Sequence, residues 1–97
     1  MEKGLPEIKG KLQAMATLAE DMVARSVKAL LEGDKTLANQ VCADDDQLDR
    51  MEAEVDELAV QILAHGAAPK DLRAIAICMK ISNDLERIGD EAGTIAR

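Results

Sequence analysis

Residues 34–65 read DKTLANQVCADDDQLDRMEAEVDELAVQILAH, and the spacing of their apolar side chains decides the fold. Leu37, Val41, Asp44, Leu48, Met51, Val55, Leu58 and Ile62 step alternately by four and three. Those steps line up side chains on one stripe of an α-helix. Their alternation is the seam of helices packed against one another at about 20°. Asp34 follows Gly33 and supplies an N-cap, and neither Gly nor Pro interrupts the pattern before Gly66. The spacing therefore predicts a helix over 34–65.

Upstream, Pro6 fits a first helical turn and Gly33 a stop, which bounds an earlier helix at about 6–32. Its seam is Ile8, Leu12, Met15, Ala19, Met22, Ser26 and Ala29, again by fours and threes. On the other side, Pro69 and Asp71 open a third helix over about 69–96. That helix carries two stripes. Ala74, Ile77, Ile81, Leu85, Ile88, Ala92 and Ile95 are apolar throughout and are expected to face the other helices. Leu72, Ile75, Met79, Asn83, Glu86 and Asp90 begin apolar and turn polar halfway along. The fold class read from this is all-α, an antiparallel bundle of three helices, each about 40 to 47 Å long at 1.5 Å per residue. The 97 residues form one domain, 1–97.

Composition narrows the function. There is no Phe, Tyr or Trp, so the chain has no stacking platform for bases or sugars, and its core is built from Leu, Ile, Val, Met and Ala. With 19 Asp and Glu against 12 Lys and Arg the net charge is -7, which disfavours nucleic acid and anionic membrane and favours cations or basic partners. No run of about 18 apolar residues and no charged start followed by an apolar core is present. The expected address is therefore the cytoplasm, without membrane insertion. Cys42 and Cys78 lie inside helical patterns with no C-x-x-C spacing and read as small hydrophobes rather than a disulfide. Met15, Met22 and Met51 fall on core stripes and read as packing.

The candidate chemistry is acidic. Asp45, Asp49, Glu52 and Asp56 project from one face of the second helix at steps of four, three and four. Like charges at i and i+4 repel by a few tenths of a kcal/mol per pair, and no Lys or Arg occupies this line. The third helix adds Glu86 and Asp90, so each helix carries an E-x-x-x-D pair: Glu52 with Asp56, and Glu86 with Asp90. Antiparallel packing can bring such pairs together, and carboxylates from facing helices are how bundles build sites for Mg, Mn, Fe or Ca. Zinc is less favoured, since neither cysteine nor His65 accompanies the acids. Acidic pairs at this spacing are also common on solvated helix faces, which is the plain alternative.

Other residues read as structural. His65 beside Gly66 reads as a helix cap or surface residue, and Arg73 and Arg87 as partners in ordinary ion pairs. No Ser-His-Asp set, no Cys-His pair, no glycine-rich phosphate loop and no E-x-x-H of the di-iron bundles occurs, so the usual parts of hydrolysis, phosphoryl transfer and oxygen chemistry are missing. The expectation is a protein that is not an enzyme.

The segments VCADDDQLDRMEAEVDELAVQILA (41–64) and APKDLRAIAICMKISNDLERIGDEAGTIAR (68–97), with the words DLR and ERIGD in one long helix, closely resemble the repeat of PhoU proteins, the cytoplasmic regulators of bacterial phosphate uptake and phosphate-starvation signalling. The resemblance covers essentially the whole chain. It implies a three-helix bundle per repeat, with two tandem repeats in typical members against one here. A surface normally covered by the second repeat is then left open, so the expected assembly is a homodimer or higher oligomer. The resemblance also implies metal binding, including multinuclear clusters, at E(D)-x-x-x-D motifs matching Glu52 and Asp56, and Glu86 and Asp90; Asp45 matches a family acid as well. Implied partners are a phosphate transporter or permease and the sensor kinase of the phosphate regulon, reached from the cytoplasmic side of the membrane. The expectation is thus a metal-binding adaptor. The rivals are a structural interaction module, or an accessory subunit of a permease, that ignores metal.

Overall fold

Three helices need three starts and two reversals, and local residues supply them. The computed structural model describes residues 4–66 and 68–96. Helix α1 spans Gly4–Glu32, α2 Lys35–Ala64 and α3 Pro69–Ala96. Each begins or ends within two residues of its expected bound, the margin within which helix ends fray. At the first reversal Gly33 takes a φ of +65°, open to glycine at little cost. Asp34 then caps α2 by accepting the backbone N–H of Leu37 at 3.0 Å. At the end of α2 His65 is the C-cap, with Nδ1 2.8 Å from the Gln61 carbonyl, and Gly66 follows at φ +80°. His65 is therefore the cap its position suggested.

The helices pack pairwise into a rod of 50 × 17 × 16 Å. From α1 the seven residues Ile8, Leu12, Met15, Ala19, Met22, Ser26 and Ala29 are buried, the same seven the spacing selected. From α2 come Val41, Leu48, Val55, Ala59 and Ile62, with Asp45 among them. Leu37, Met51 and Leu58 are half-buried at the edges. The seam was expected to pass through Asp44. It passes through Asp45 instead: of the two equally spaced positions between Val41 and Leu48, Asp45 turns inward and Asp44 stays at the edge beside Arg25. Asp44, half-buried, accepts a hydrogen bond from Arg25 Nη2 of α1.

Helix α3 corrects the reading. Ile77, Ile81, Ile88 and Ile95 were expected to face the other helices, yet Ile77 is 55% exposed and the other three are more than 40% exposed. Of that stripe only Ala92 is buried, with Ala74 and Leu85 half-buried. The inward face carries Ile75, Cys78, Ser82, Gly89, Ala92 and Gly93. Size contributes to the choice: Ser82, Gly89, Ala92 and Gly93 let the later part of α3 approach the other helices closely, while Ile75 fills the interior nearer its start. Ser82, fully buried, points its hydroxyl at Met15 Sδ 3.6 Å away. Cys78 is buried and Cys42 half-buried, both as free thiols. No described helix is long and apolar enough to cross a membrane.

Candidate metal centre

Because α2 and α3 run antiparallel, a turn of acids on one meets a turn of acids on the other in reversed order. Asp45 lies beside Asp90 and Asp49 beside Glu86. One carboxylate oxygen from each of these four residues lies within 4.8 Å of the others. Glu52 and Asp56 lie about one and two turns further along α2 than Asp49. The structure thus gathers Asp45, Asp49, Glu86 and Asp90 and leaves Glu52 and Asp56 outside the set. Glu52 is half-buried at its edge and Asp56 is exposed. The E-x-x-x-D pair of α3 faces a D-x-x-x-D pair on α2, and Glu52 with Asp56 is not its counterpart.

The set is electrostatically uneasy. Asp45 is 9% exposed, and its Oδ1 is buried without a hydrogen-bond donor. Burial first, then its bond to Asp90 in the protonated form and the charges of Asp90, Asp49 and Asp46, push its pKa up to about 6. The hydrogen bond that a protonated Glu86 makes with Asp49 comes first in raising the Glu86 pKa to about 8, followed by burial and by Asp90. Glu52 is raised as well, by burial and then by Asp56, Asp49 and Asp90. Protons relieve this repulsion, and a cation would relieve it more completely.

Nearby bases do not. Arg25 is engaged by Asp44 and Asp21, the latter 2.8 Å from Nε as an ion pair without hydrogen-bond alignment. Lys80 lies 3.9 Å from Asp84. Among the described residues no Lys or Arg pairs with the four acids, and Arg73 and Arg87, expected in ion pairs, form none. The donors are all carboxylate oxygens, as Mg, Mn, Ca or Fe prefer. Cys42 Sγ sits 3.9 Å from the Gly93 carbonyl, outside the set. Four hard donors and one buried oxygen lacking a partner fit a hard cation.

Asp45 was among the expected ligands, but the seam was drawn through Asp44, and Asp45 is the acid of the Asp44, Asp45, Asp46 run that turns inward. The feature missed in the sequence is Gly89, which is buried against α2 at the level of the acids, and glycine in mid-helix was its signal.

The family model described as the PhoU domain matches residues 12–97. A phosphate-specific transport system accessory protein PhoU homolog of Pseudomonas aeruginosa is 46% identical over 94 residues, covering 96% of this chain and 39% of the relative. Its counterpart in Pseudomonas putida is 48% identical over 94 residues, covering 96% and 37%. PhoU homolog 1 of Thermotoga maritima is 36% identical over 96 residues, covering 98% and 41%. The chain spans about two fifths of the length of these curated relatives. With the family model matched over all but its first eleven residues, the chain belongs to the PhoU family.

Proposed function

We propose that the chain is a metal-binding adaptor of a phosphate transport system, acting through protein contacts rather than catalysis. A cation between α2 and α3 joins the two helices and orders the surface they present to a partner. The observation that carries this reading is the buried, unpartnered Oδ1 of Asp45 within a set of four carboxylates. The transport context rests on the relatives, whose names call them accessory proteins of phosphate-specific transport. The partners that fit it are the transporter or a permease, the sensor kinase of phosphate-starvation signalling, and a second copy of the chain. Their meeting place would be the cytoplasmic side of the membrane.

Binding to the folded form alone stabilises it by RT ln(1 + [L]/Kd), about 2.7 kcal/mol at a hundredfold excess over Kd. For a domain of this size that raises the melting temperature by roughly 10–20 °C. Metal-stripped protein melted with and without Mn, Fe or Mg should show this rise, and a Glu86→Gln, Asp90→Asn double variant should lose it. Equal melts in every condition would leave a helical interaction module indifferent to metal.

A further inference from the structure

We propose that Gly89 sets the separation of α2 and α3 at the four acids and thereby the size of cation they accept, an inference that rests on the metal-binding reading above. Glycine is the poorest ordinary helix former after proline, so a buried glycine within α3 asks for a packing reason. Position supplies it. Gly89 lies on α3 between Glu86 and Asp90, and Leu48 lies on α2 between Asp45 and Asp49. The single contact between Gly89 and Leu48 therefore sits among the four carboxylates.

A Cβ added at residue 89 would overlap Leu48 Cδ2, while meeting Asp45 Oδ1 at 3.4 Å and Met22 Cε at 3.6 Å. The last two are ordinary van der Waals distances, so Leu48 alone obstructs. The obstructing atom is the tip of a side chain, but Leu48 is fully buried and has no solvent to swing into, so its repacking is constrained and part of the relief falls on movement of α3 away from α2. The acids travel with their helices, so the outward shift opens the set by a fraction of an ångström. That is the scale separating Mg, which demands oxygens at about 2.0–2.1 Å in near-ideal octahedral array, from Ca, which accepts about 2.3–2.6 Å in irregular geometry. A closely set pair of helices favours the smaller ion, and a spread pair penalises it first.

The experiment titrates the metal-stripped chain with Mg and, separately, with Ca by calorimetry. It compares wild type, Gly89→Ala, Leu48→Val and the double variant Gly89→Ala, Leu48→Val. The expected result is that Gly89→Ala lowers the ratio of Mg to Ca affinity by about tenfold, roughly the weight of a single well-made contact. Leu48→Val removes the obstructing carbon and restores the ratio in the double variant. A residue that only supports the fold would lower the melting temperature of the metal-free protein and weaken both ions alike. Equal weakening, an unchanged ratio, or a double variant that fails to recover it overturns the proposal. If Gly89→Ala does not fold, the double variant must fold and keep the wild-type ratio, and its failure to fold is equally fatal. Wild type that binds neither Mg nor Ca overturns this inference, and the metal-binding reading falls with it only when Mn and Fe also fail to bind; wild type that binds both, with an unchanged ratio in Gly89→Ala, overturns this inference alone.

Discussion

At Asp45 the fold holds a carboxylate nine-tenths out of water with one oxygen to which nothing donates. Its pKa rises to about 6 and that of Glu86 to about 8, from ordinary values of 3.8 and 4.5. Both groups therefore hold protons in the folded state that they release when unfolded, across a window from about pH 4 to about pH 8. Folding stability falls wherever the native state binds more protons than the unfolded state and pH rises. Metal-free protein should accordingly melt at lower temperature at pH 8 than at pH 5, and Glu86→Gln should flatten the slope. Saturating Mn or Mg should abolish it, because the cation replaces the protons. Melts of metal-free protein that improve with rising pH would contradict the electrostatic account. The sequence already contained all four acids at their spacing. It could not say which pair on α2 meets Glu86 and Asp90, because that depends on the axial register of two helices rather than on either alone.

Among the elements, α1 was legible to the residue and α3 was not. The α1 seam keeps its steps of four and three unbroken from Ile8 to Ala29, so periodicity identifies its buried face although Ala19, Ser26 and Ala29 are small and a second apolar row, Val23, Val27 and Leu30, lies exposed. Helix α3 offers a choice between an isoleucine stripe and a face holding Ser82, Gly89 and Gly93. Hydropathy favours the first and close packing takes the second. The consequence is measurable. Ile75→Ala, which empties a fully packed position, should cost about 2–5 kcal/mol in denaturant unfolding. Ile81→Ser and Ile88→Ser should each stay within about 0.5 kcal/mol, as exposed substitutions do. Reversed costs would put the isoleucines back in the core. Helix α2 falls between these cases: Val41, Leu48, Val55 and Ile62 were read correctly, while the position between Val41 and Leu48 goes to Asp45 rather than Asp44, and Ala59 is buried where Leu58 was expected.

As a whole the molecule is a narrow rod with no aromatic residue in its core. Ile77, Ile81, Ile88 and Ile95 leave an apolar stripe along α3. It adjoins a groove shared with α1, where Ile88 stands with Ala16, Glu20 and Val23. If a second copy covers this face, wild type sediments as a dimer and the Ile77→Ser, Ile81→Ser, Ile88→Ser variant as a folded monomer; a wild-type monomer at every concentration would remove the homodimer. The central claim is narrower than assembly, namely that α2 and α3 share a cation among Asp45, Asp49, Glu86 and Asp90. Crystals soaked in Mn and measured for anomalous scattering test it most directly. A peak is expected, bounded by oxygens of those four residues at about 2.0–2.6 Å; a map with no peak there, or with Mn only at exposed acids such as Asp56, would show that α2 and α3 share no cation.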